Sequence, residues 1–485
     1  MIINNYPKQT SSQQVVLFPF DDHSIPFQHG VRLHLVRYKA GVDGTRIVVP
    51  PGPAGAPDSR AVIYYGSVHR VEDQLWMWYL AQGDSDRWLQ RVCLAKSDDG
   101  YNWQKPELGL VKYNGSTRNN LVDMLAGEHH IVACVVYYEP EDPNPDRRFK
   151  AIIETTKYPN LFAVMFSADG LKWQEAERQL EVPACEMSGG TKFNGCYYLS
   201  GHGGKHFGAL RQMVMFVSYD FEHWIETSCL GFRRENIPPR PTVVGDHQGE
   251  QVHLGAALWN RGNVIIGFYG QWHGPDNNDR RHVDMDLGLV VSNDALHYRE
   301  PIPDFRIVEA GEDDFEHLPT PMYFKHAGLV QGQGFENVGE ETLFWYAPWP
   351  EQLSNGVRVA SWQRDRLGYF QASDLNLKKG QGRHVISAPI DLEGQLTQVW
   401  LNVDGLSQHA QIAVEILDER FQPIDGYLAQ DCQPLESGLR QPVHWKNHQL
   451  IMTNKEVIRI RLNYVGLRPE DPKIYAIYVT SASTI

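Results

Sequence analysis

The heptapeptide Ser97-Asp98-Asp99-Gly100-Tyr101-Asn102-Trp103 contains the pattern that decides the fold: a serine, an aspartate two residues later, and an aromatic residue four residues after the aspartate. Three further copies begin at Ser167, Ser218 and Ser292, and a degraded copy contains Asp365. The five aspartates lie 70, 51, 74 and 71 residues apart. An interval of this length holds four short strands and their turns, so the repeat predicts five blades of a β-propeller around a central funnel.

The residue types of the repeat predict a structural role. Each full copy follows an apolar run that indicates a strand, so the repeat lies where a strand enters a turn. Serine and aspartate side chains bond backbone amides in turns, and Gly100 and Gly170 permit a tight backbone conformation. We expect the aromatic residue to pack between blades and the aspartates to stabilise turns without taking part in catalysis.

The rest of the chain indicates an all-β protein with two domains. Short runs rich in Val, Ile, Tyr, Phe and Trp are bounded by Gly, Pro, Asn and Asp from Val31 onward, and helix signals are scarce. The polar stretch LNLKKGQG at 375–382 predicts a linker, and alternating strands follow it. We predict a catalytic five-bladed β-propeller over 1–374, which includes the N-terminal segment, and an accessory C-terminal β-sandwich over 375–485.

Composition excludes several classes of partner. The 485 residues include 59 acidic and 45 basic side chains, a formal charge of -14 that repels nucleic acid and anionic lipid. The six cysteines lack zinc-site spacing, so we expect reduced thiols and no metal. The N-terminal sequence lacks a signal-peptide pattern, and no window approaches about 18 apolar residues, so we expect a cytoplasmic protein.

Four stretches around the first repeat carry a resemblance to a known family. They are Trp78-Tyr79, Ser97 to Trp103, the heptapeptide KPELGLV at 105–111, and Asn114-Gly115-Ser116 with Asn119-Asn120. They resemble the first blade of bacterial proteins related to the N-terminal domain of family 32 glycoside hydrolases, within the family 32/43 superfamily. The resemblance continues over 287–300 and 356–370.

That resemblance implies a five-bladed β-propeller with an appended β-sandwich, and hydrolysis of a glycosidic bond by two funnel carboxylates. The chain lacks the Trp-Met-Asn-Asp-Pro and Arg-Asp-Pro motifs of characterised fructosidases, so the family does not identify the sugar. A non-catalytic carbohydrate-binding propeller and a β-mannoside-type phosphorylase are the alternatives. A sialidase fits less well, because Gly100 and Gly170 directly follow the aspartates, whereas the sialidase repeat has glycine one position later.

Catalytic acids are expected where the inner strand of a blade begins, because that strand lines the funnel. Glu186 precedes the third predicted blade, and Glu316 precedes the fifth, where relatives tend to have Trp-Asp. Asp22 lies in an Asp-Asp-His string like one that precedes the first blade in relatives. We expect Glu186 and Glu316 to divide the acid and the nucleophile or base roles, with Asp22 modulating one of them. The structural alternatives are a hydrogen-bonded rim carboxylate for Glu186, a solvated loop for Glu316 and an Asx turn for Asp22.

Sugar binding needs aromatic platforms and hydrogen-bonding side chains. The predicted substrate-binding residues are His69, His130, Glu250, His253, Trp272 and Arg281. Glu250 is also the alternative acid if Glu186 is misplaced, and Arg281 would suit an anionic sugar. The predicted function is a glycoside hydrolase acting on a small oligosaccharide or glycoside, without cofactor, metal, nucleic acid or membrane, and a homo-oligomer is left open.

Overall fold

The computed structural model describes residues 14–38, 47–86, 89–177, 182–203, 211–234, 247–310, 328–349, 356–373, 382–453 and 457–482. Over these ranges the regular structure is β-strand, apart from the short 3₁₀ turns Leu125–Gly127, Pro145–Arg147, Arg280–His282 and Ala429–Asp431. None of the helices in this part of the chain has the length and apolar character needed to cross a membrane.

The strands are numbered in chain order. The first four are β1 (Gln14–Leu17), β2 (Phe27–His29), β3 (Val31–Leu35) and β4 (Ile47–Val49). Next come β5 (Ala61–Val71), β6 (Gln74–Gln82), β7 (Arg91–Ser97), β8 (Ile131–Tyr138), β9 (Phe149–Thr155), β10 (Phe162–Ser167), β11 (Gln174–Glu175), β12 (Met187–Phe193), β13 (Cys196–Gly203), β14 (Gln212–Ser218) and β15 (Trp224–Glu226). The strands β16 (Gly249–Asn260), β17 (Ile265–Gly274), β18 (Asp284–Ser292), β19 (Arg306–Val308), β20 (Gly328–Val338), β21 (Glu341–Trp349) and β22 (Val357–Gln363) follow. The last are β23 (Gly368–Ala372), β24 (His384–Ile386), β25 (Ile390–Asp391), β26 (Thr397–Asp404), β27 (Ala410–Asp418), β28 (Gly438–Pro442), β29 (Val457–Gly466) and β30 (Lys473–Ser481).

Strands β4 to β22 form a propeller-like arrangement of antiparallel units. The units are β5-β6-β7, β8-β9-β10-β11, β12-β13-β14-β15, β16-β17-β18-β19 and β20-β21-β22-β4. The inner strands β5, β8, β12, β16 and β20 each contact the next, and β20 returns to β5, which it meets in parallel at Gln333 and Ser67. We call this arrangement the five-sheet ring. Its fifth sheet is completed by β4 from the N-terminal side, which joins the two ends of the ring.

Each inner strand has a break in its pairing register. The breaks follow Ile63, Ile131, Met187, His253 and Gln331. A bulge leaves backbone groups without a ladder partner, and buried groups of this kind must be satisfied elsewhere. Gln331 does so between sheets, because its Nε2 donates to the carbonyls of His253 at 2.9 Å and Gly255 at 3.0 Å, at the break in β16. The strands approach closely enough that a Cβ at Gly189 would lie 2.1 Å from the Ala256 carbonyl oxygen.

The four full repeats form the predicted turns. In each, the serine Oγ accepts from the amide three residues later at 2.9 Å; these amides belong to Gly100, Gly170, Phe221 and Ala295. The aspartate Oδ1 accepts from the amides two and three residues later. Trp345 of the fifth sheet donates to the Gly100 carbonyl at 3.0 Å, and Trp78 of the first sheet donates to that of Gly170 at 2.8 Å. The turn contacts predicted for the serine and aspartate of the repeat are therefore confirmed.

The remaining strands form two sheets around one hydrophobic core. One sheet has the order β28-β26-β30-β23-β3 with β1 beside β30, and the other has the order β2-β24-β29-β25 with β27 beside β29. Their shared core includes Leu401 and Ile477 from the first sheet and Val414 and Ile460 from the second. We call these sheets the C-terminal sheet pair.

The pairing differs from the expectation that the N-terminal segment belongs with the blades. β1, β2 and β3 pair with β30, β24 and β23, so this segment contributes to the C-terminal sheet pair. β23 also pairs there, although it directly follows the degraded repeat, and its place in the ring is taken by β4. The predicted boundary near residue 374 stays a prediction, because 374–381 lie outside the described residues.

The ring and the C-terminal sheet pair share an apolar interface. Phe18 and Phe20, which follow β1, pack in one core cluster with Phe344, Trp362 and Tyr478. Asp365 of the degraded repeat lies at the same interface, where its carboxylate pairs with Arg261 at 2.5 Å and accepts from the Tyr478 hydroxyl at 2.8 Å. Asp365 therefore links the five-sheet ring, through Arg261, to the C-terminal sheet pair, through Tyr478.

Replacement of Asp169 tests the turn assignment. Its backbone hydrogen bonds from Lys172 and Leu171 outweigh the effect of burial and lower the pKa of Asp169. Asp169→Ala should reduce the free energy of unfolding by about 1–2 kcal/mol at neutral pH. Because a lowered carboxyl pKa stabilises the fold above the unfolded pKa of about 3.9, the difference should shrink as the pH falls through the pKa of the folded state.

The control is Asp98→Ala, one residue before the equivalent aspartate of the first repeat, where the exposed side chain accepts from Gln74 at 2.9 Å. This exposed change should stay within about 0.5 kcal/mol of the parent in urea unfolding. Equal effects of the two substitutions would contradict the turn assignment.

Candidate functional site

The start of the inner strands defines one end of the ring. The side-chain amide of Asn260, at the far end of β16, donates to the Lys192 carbonyl near the far end of β12 at 2.8 Å. β12 and β16 therefore finish at the same level, and both begin toward the opposite end of the ring, where the longer β16 extends further. We call the end that carries Glu186 and Glu250 the strand-start end.

Two carboxyl groups in different environments meet at the strand-start end. Glu154 is on β9, and Glu186 directly precedes β12. Burial, followed by the negative charge of Glu186, raises the pKa of Glu154 to about 7. Among the described residues, the buried Oε2 of Glu154 has no hydrogen-bond partner. Glu186 remains 43% exposed. The pair thus combines a carboxyl that keeps its proton near neutral pH with a more solvated one.

A row of rings extends from Glu186 into the fourth sheet. The ring of His202 lies 5.9 Å from that of His253, which lies 5.9 Å from Trp272. Burial and the charge of Arg211 lower the pKa of His202 to about 3. Burial also lowers the pKa of His253 well below its usual range, with smaller contributions from His202 and Arg211. Both imidazoles are therefore neutral at physiological pH.

Glu250 belongs to a charged cluster beside this row. Its carboxylate lies 2.5 Å from Nη2 of Arg234 and 2.8 Å from Nδ1 of His273. The other ring nitrogen of His273 lies 3.2 Å from the buried Asp286. Burial lowers the pKa of His273, but the hydrogen bonds to Asp286 and Glu250 outweigh it and raise that pKa. Glu250 is thus engaged in structural ion pairs, which argues against the role of alternative acid.

Asp22 lies at the other end of the molecule, which corrects its predicted place at the funnel. Its carboxylate pairs with Arg299 and its side chain is 65% exposed. The neighbouring Asp21 accepts from Asn293 at 3.1 Å, beside the β16–β17 turn. The seven residues of β12 span ~20 Å at about 3.3 Å each, so Asp22 is too distant to modulate Glu186. Arg299, distant in sequence, determines this position.

The two other predicted histidines have structural partners. His69 lies in the second half of β5, near its hairpin turn, and its Nε2 lies 2.6 Å from the Val136 carbonyl oxygen in the next sheet. His130 directly precedes β8 and is at the strand-start end, where its Nδ1 accepts from the Gln90 amide at 3.1 Å. Of these two, the structure brings only His130 toward Glu154.

Trp272 and Arg281, which were predicted to contact the sugar, are both engaged with other residues of this chain. The ring of Trp272 is fully buried, with the Arg211 guanidinium 4.7 Å from its centre, so it supports the row of rings and offers no open face to a sugar. Arg281 is at the surface and forms a two-pronged ion pair with Asp279 of its own loop. Glu316 lies outside the described residues.

Three site residues were missed at the sequence level: Glu154, His202 and Arg234. Glu154 has a sequence signal, since it is the single acid in the strand sequence FKAIIET. The other two gave no comparable signal. Within the described ranges, no group of three or more His, Cys, Asp and Glu side chains is arranged to hold a metal ion.

Comparisons with known proteins find similarity of structure. No protein-family model and no curated protein matches the chain. A glycosyl hydrolase from Bacteroides ovatus is 13% identical, with a TM-score of 0.42, over 69% of this chain and 95% of its own. A structure described as a glycoside hydrolase is 11% identical, with a TM-score of 0.38, over 89% of this chain and 99% of its own.

A third similar structure comes from the family 130 mannoside phosphorylases, a family that contains glycoside hydrolases targeting β-1,2 mannosidic linkages in Candida mannan. It is 12% identical, with a TM-score of 0.42, over 70% of this chain and 97% of its own. At these TM-scores the similarities carry no inference about activity, which has to come from the residues of this chain.

Removal of Arg234 tests the charged cluster. The Arg234 side chain is 2% exposed, and Arg234→Met leaves the Glu250 carboxylate without its strongest cationic partner. Loss of one partner from a buried ion pair should lower the free energy of unfolding by about 3–5 kcal/mol. Arg281→Ala is the control, because its exposed ion pair with Asp279 should leave the unfolding midpoint unchanged. Equal midpoints for both variants would contradict the arrangement.

The raised pKa of His273 predicts a pH dependence. A raised histidine pKa stabilises the fold fully below the unfolded pKa of about 6.5, and this contribution is lost as the pH rises through the pKa of the folded state. His273→Gln should therefore destabilise the protein more at about pH 5.5 than at about pH 9 in urea unfolding. The exposed His409→Gln is the control. A larger effect at the higher pH would contradict the bridging role of His273.

Proposed function

We propose that the chain is a glycoside hydrolase, built as a five-bladed β-propeller with a C-terminal β-sandwich, that cleaves a small oligosaccharide or glycoside. The observation that supports this most directly is the pair Glu154 and Glu186. One carboxyl group is buried with a pKa raised to about 7, and its neighbour is open to solvent. Glycosidic bond cleavage needs one protonated and one ionised carboxyl group, and in this proposal Glu154 provides the first and Glu186 the second.

The two residues have separate roles in this proposal. Glu154 gives its proton to the glycosidic oxygen as the bond to the anomeric carbon breaks. Glu186 attacks that carbon, or takes a proton from a water that attacks it. The neutral rings of His202 and His253 place no charged imidazole beside Glu186, and the buried His253 supports the site without an open face for a sugar. Glu316 stays a predicted partner of Glu186.

The test is a series of isosteric variants assayed on a panel of aryl and alkyl glycosides. Glu186→Gln should lower kcat by about 10²-fold or more on all substrates. Glu154→Gln should do so on alkyl glycosides and much less on aryl glycosides with acidic phenol leaving groups, since these depart without a proton. In the parent, activity should fall as the pH rises through the pKa of about 7 of Glu154, and Glu154→Gln should lack that limb.

Asp22→Asn is the matched control, because it neutralises a carboxylate at the far end of the molecule and should leave kcat unchanged. Near-normal turnover by Glu186→Gln would exclude the proposal. Full activity of Glu154→Gln with loss in Glu316→Gln would transfer the acid role to Glu316. Binding of sugars without turnover would indicate a carbohydrate-binding protein, and turnover only with added phosphate would indicate a phosphorylase.

A further inference from the structure

The imidazole of His202 is held by a backbone amide of the next sheet. β16 breaks register between His253 and Ala256, and Leu254 within the break has a φ of 63°, which is unfavourable for a residue with a Cβ. In this conformation the Leu254 amide donates to Nδ1 of His202 at 2.9 Å. An Nδ1 that accepts carries no proton, so the proton of the neutral ring is on Nε2.

The Nε2 atom of His202 faces Glu186, the proposed nucleophile or base. It lies 3.7 Å from Oε2 of Glu186, and the His202 side chain is only 13% exposed. The backbone fixes the same relationship, because the His202 amide donates to the Glu186 carbonyl at 3.0 Å. The tautomer set by Leu254 thus directs an N–H group toward the Glu186 carboxylate.

The groups around His202 keep the ring neutral. Glu186 faces it from the start of β12, His253 from β16, Arg211 from the segment before β14, and Cys185 lies beside its backbone amide. Burial is the largest influence, and the charge of Arg211 acts in the same direction. The ring therefore remains a donor of fixed direction over the pH range in which glycosidases work.

We propose that His202 is the positioning residue of this site: its Nε2–H orients the Glu186 carboxylate and favours the ionised form, while Glu154 keeps its proton. This role rests on the proposed function. The distance of 3.7 Å is longer than a hydrogen bond, and we expect it to shorten when a sugar fills the site, as catalytic contacts often do. The buried His202 thus keeps Glu186 ionised as nucleophile or base, while Glu154 acts as the acid.

Two amide variants separate the two sides of the imidazole. His202→Asn places a carbonyl oxygen near the position of Nδ1, so it retains an acceptor for Leu254 and removes the donor that faces Glu186. His202→Gln places an amino group near the position of Nε2, so it retains the donor. A purely structural histidine would tolerate Asn at least as well as Gln.

On the glycoside that the parent hydrolyses fastest, His202→Asn should lower kcat about tenfold with little change in KM. It should also move the acidic limb of kcat/KM up by about one pH unit, the size expected for one lost hydrogen bond to a charged group. His202→Gln should retain the parent pH profile. Identical pH profiles for parent and His202→Asn, at equal folded fraction by circular dichroism, would overturn the inference.

A second measurement needs no substrate. In ¹⁵N-histidine NMR of the full chain, the His202 resonance, assigned by its loss in His202→Gln, should show the Nε2–H tautomer and no titration above about pH 5. Glu186→Gln should shift the Nε2 resonance, and the exposed Glu128→Gln should not. If these results hold but no glycoside is cleaved, the proposed function fails and the orientation of His202 stands. An Nδ1–H tautomer, or titration near about pH 6.5, would refute the inference even in an active enzyme.

Discussion

The five-sheet ring depends on satisfying the backbone groups that its inner strands release where they converge. All five inner strands break register, and each break leaves buried amides or carbonyls without a ladder partner. Side chains of neighbouring sheets bond to them at the break in β16: Gln331 donates to the carbonyls of His253 and Gly255, and Ser200 accepts from the Ala256 amide at 2.9 Å. These bonds join sheet to sheet, so the same groups that satisfy the bulges also close the ring.

The candidate site is one consequence of that arrangement. The break in β16 that brings Ala256 to Ser200, with a hydrogen bond of 2.9 Å, also brings Leu254 to His202. A bulge that is needed for close packing therefore sets the tautomer of an imidazole beside Glu186. Burial between sheets acts on Glu154 in a different way, because it withholds hydrogen-bond partners from the carboxyl group and so favours the protonated form.

Contacts between residues close in sequence could be predicted from the sequence, whereas the end of the ring at which a residue lies could not. The serine and aspartate of each repeat bond amides within three residues, so spacing alone predicts their contacts. The place of Glu186 directly before β12 could be predicted by the rule that inner strands begin at the funnel. Asp22 could not be placed in the same way, because its position depends on Arg299, 277 residues away in sequence. The acidity of Glu154 likewise arises from burial between sheets, which residue spacing does not encode.

The degraded repeat shows how a lost turn motif can acquire a second structural use. Asp365 no longer bonds the amides of its own turn and instead receives its bonds from Arg261, Asn337 and Tyr478. The strand that follows it, β23, is released from the ring and pairs with β3 and β30, while β4 completes the fifth sheet. Since β4 and β3 are neighbours in sequence, one N-terminal segment completes both the ring and the sheet pair. The C-terminal sheet pair docks at the end of the ring opposite Glu186, where Asp365 pairs with Arg261 of the β16–β17 turn, whereas β4 joins β22 at Val357, where β22 begins. The N-terminal segment therefore contributes contacts at different levels of the ring.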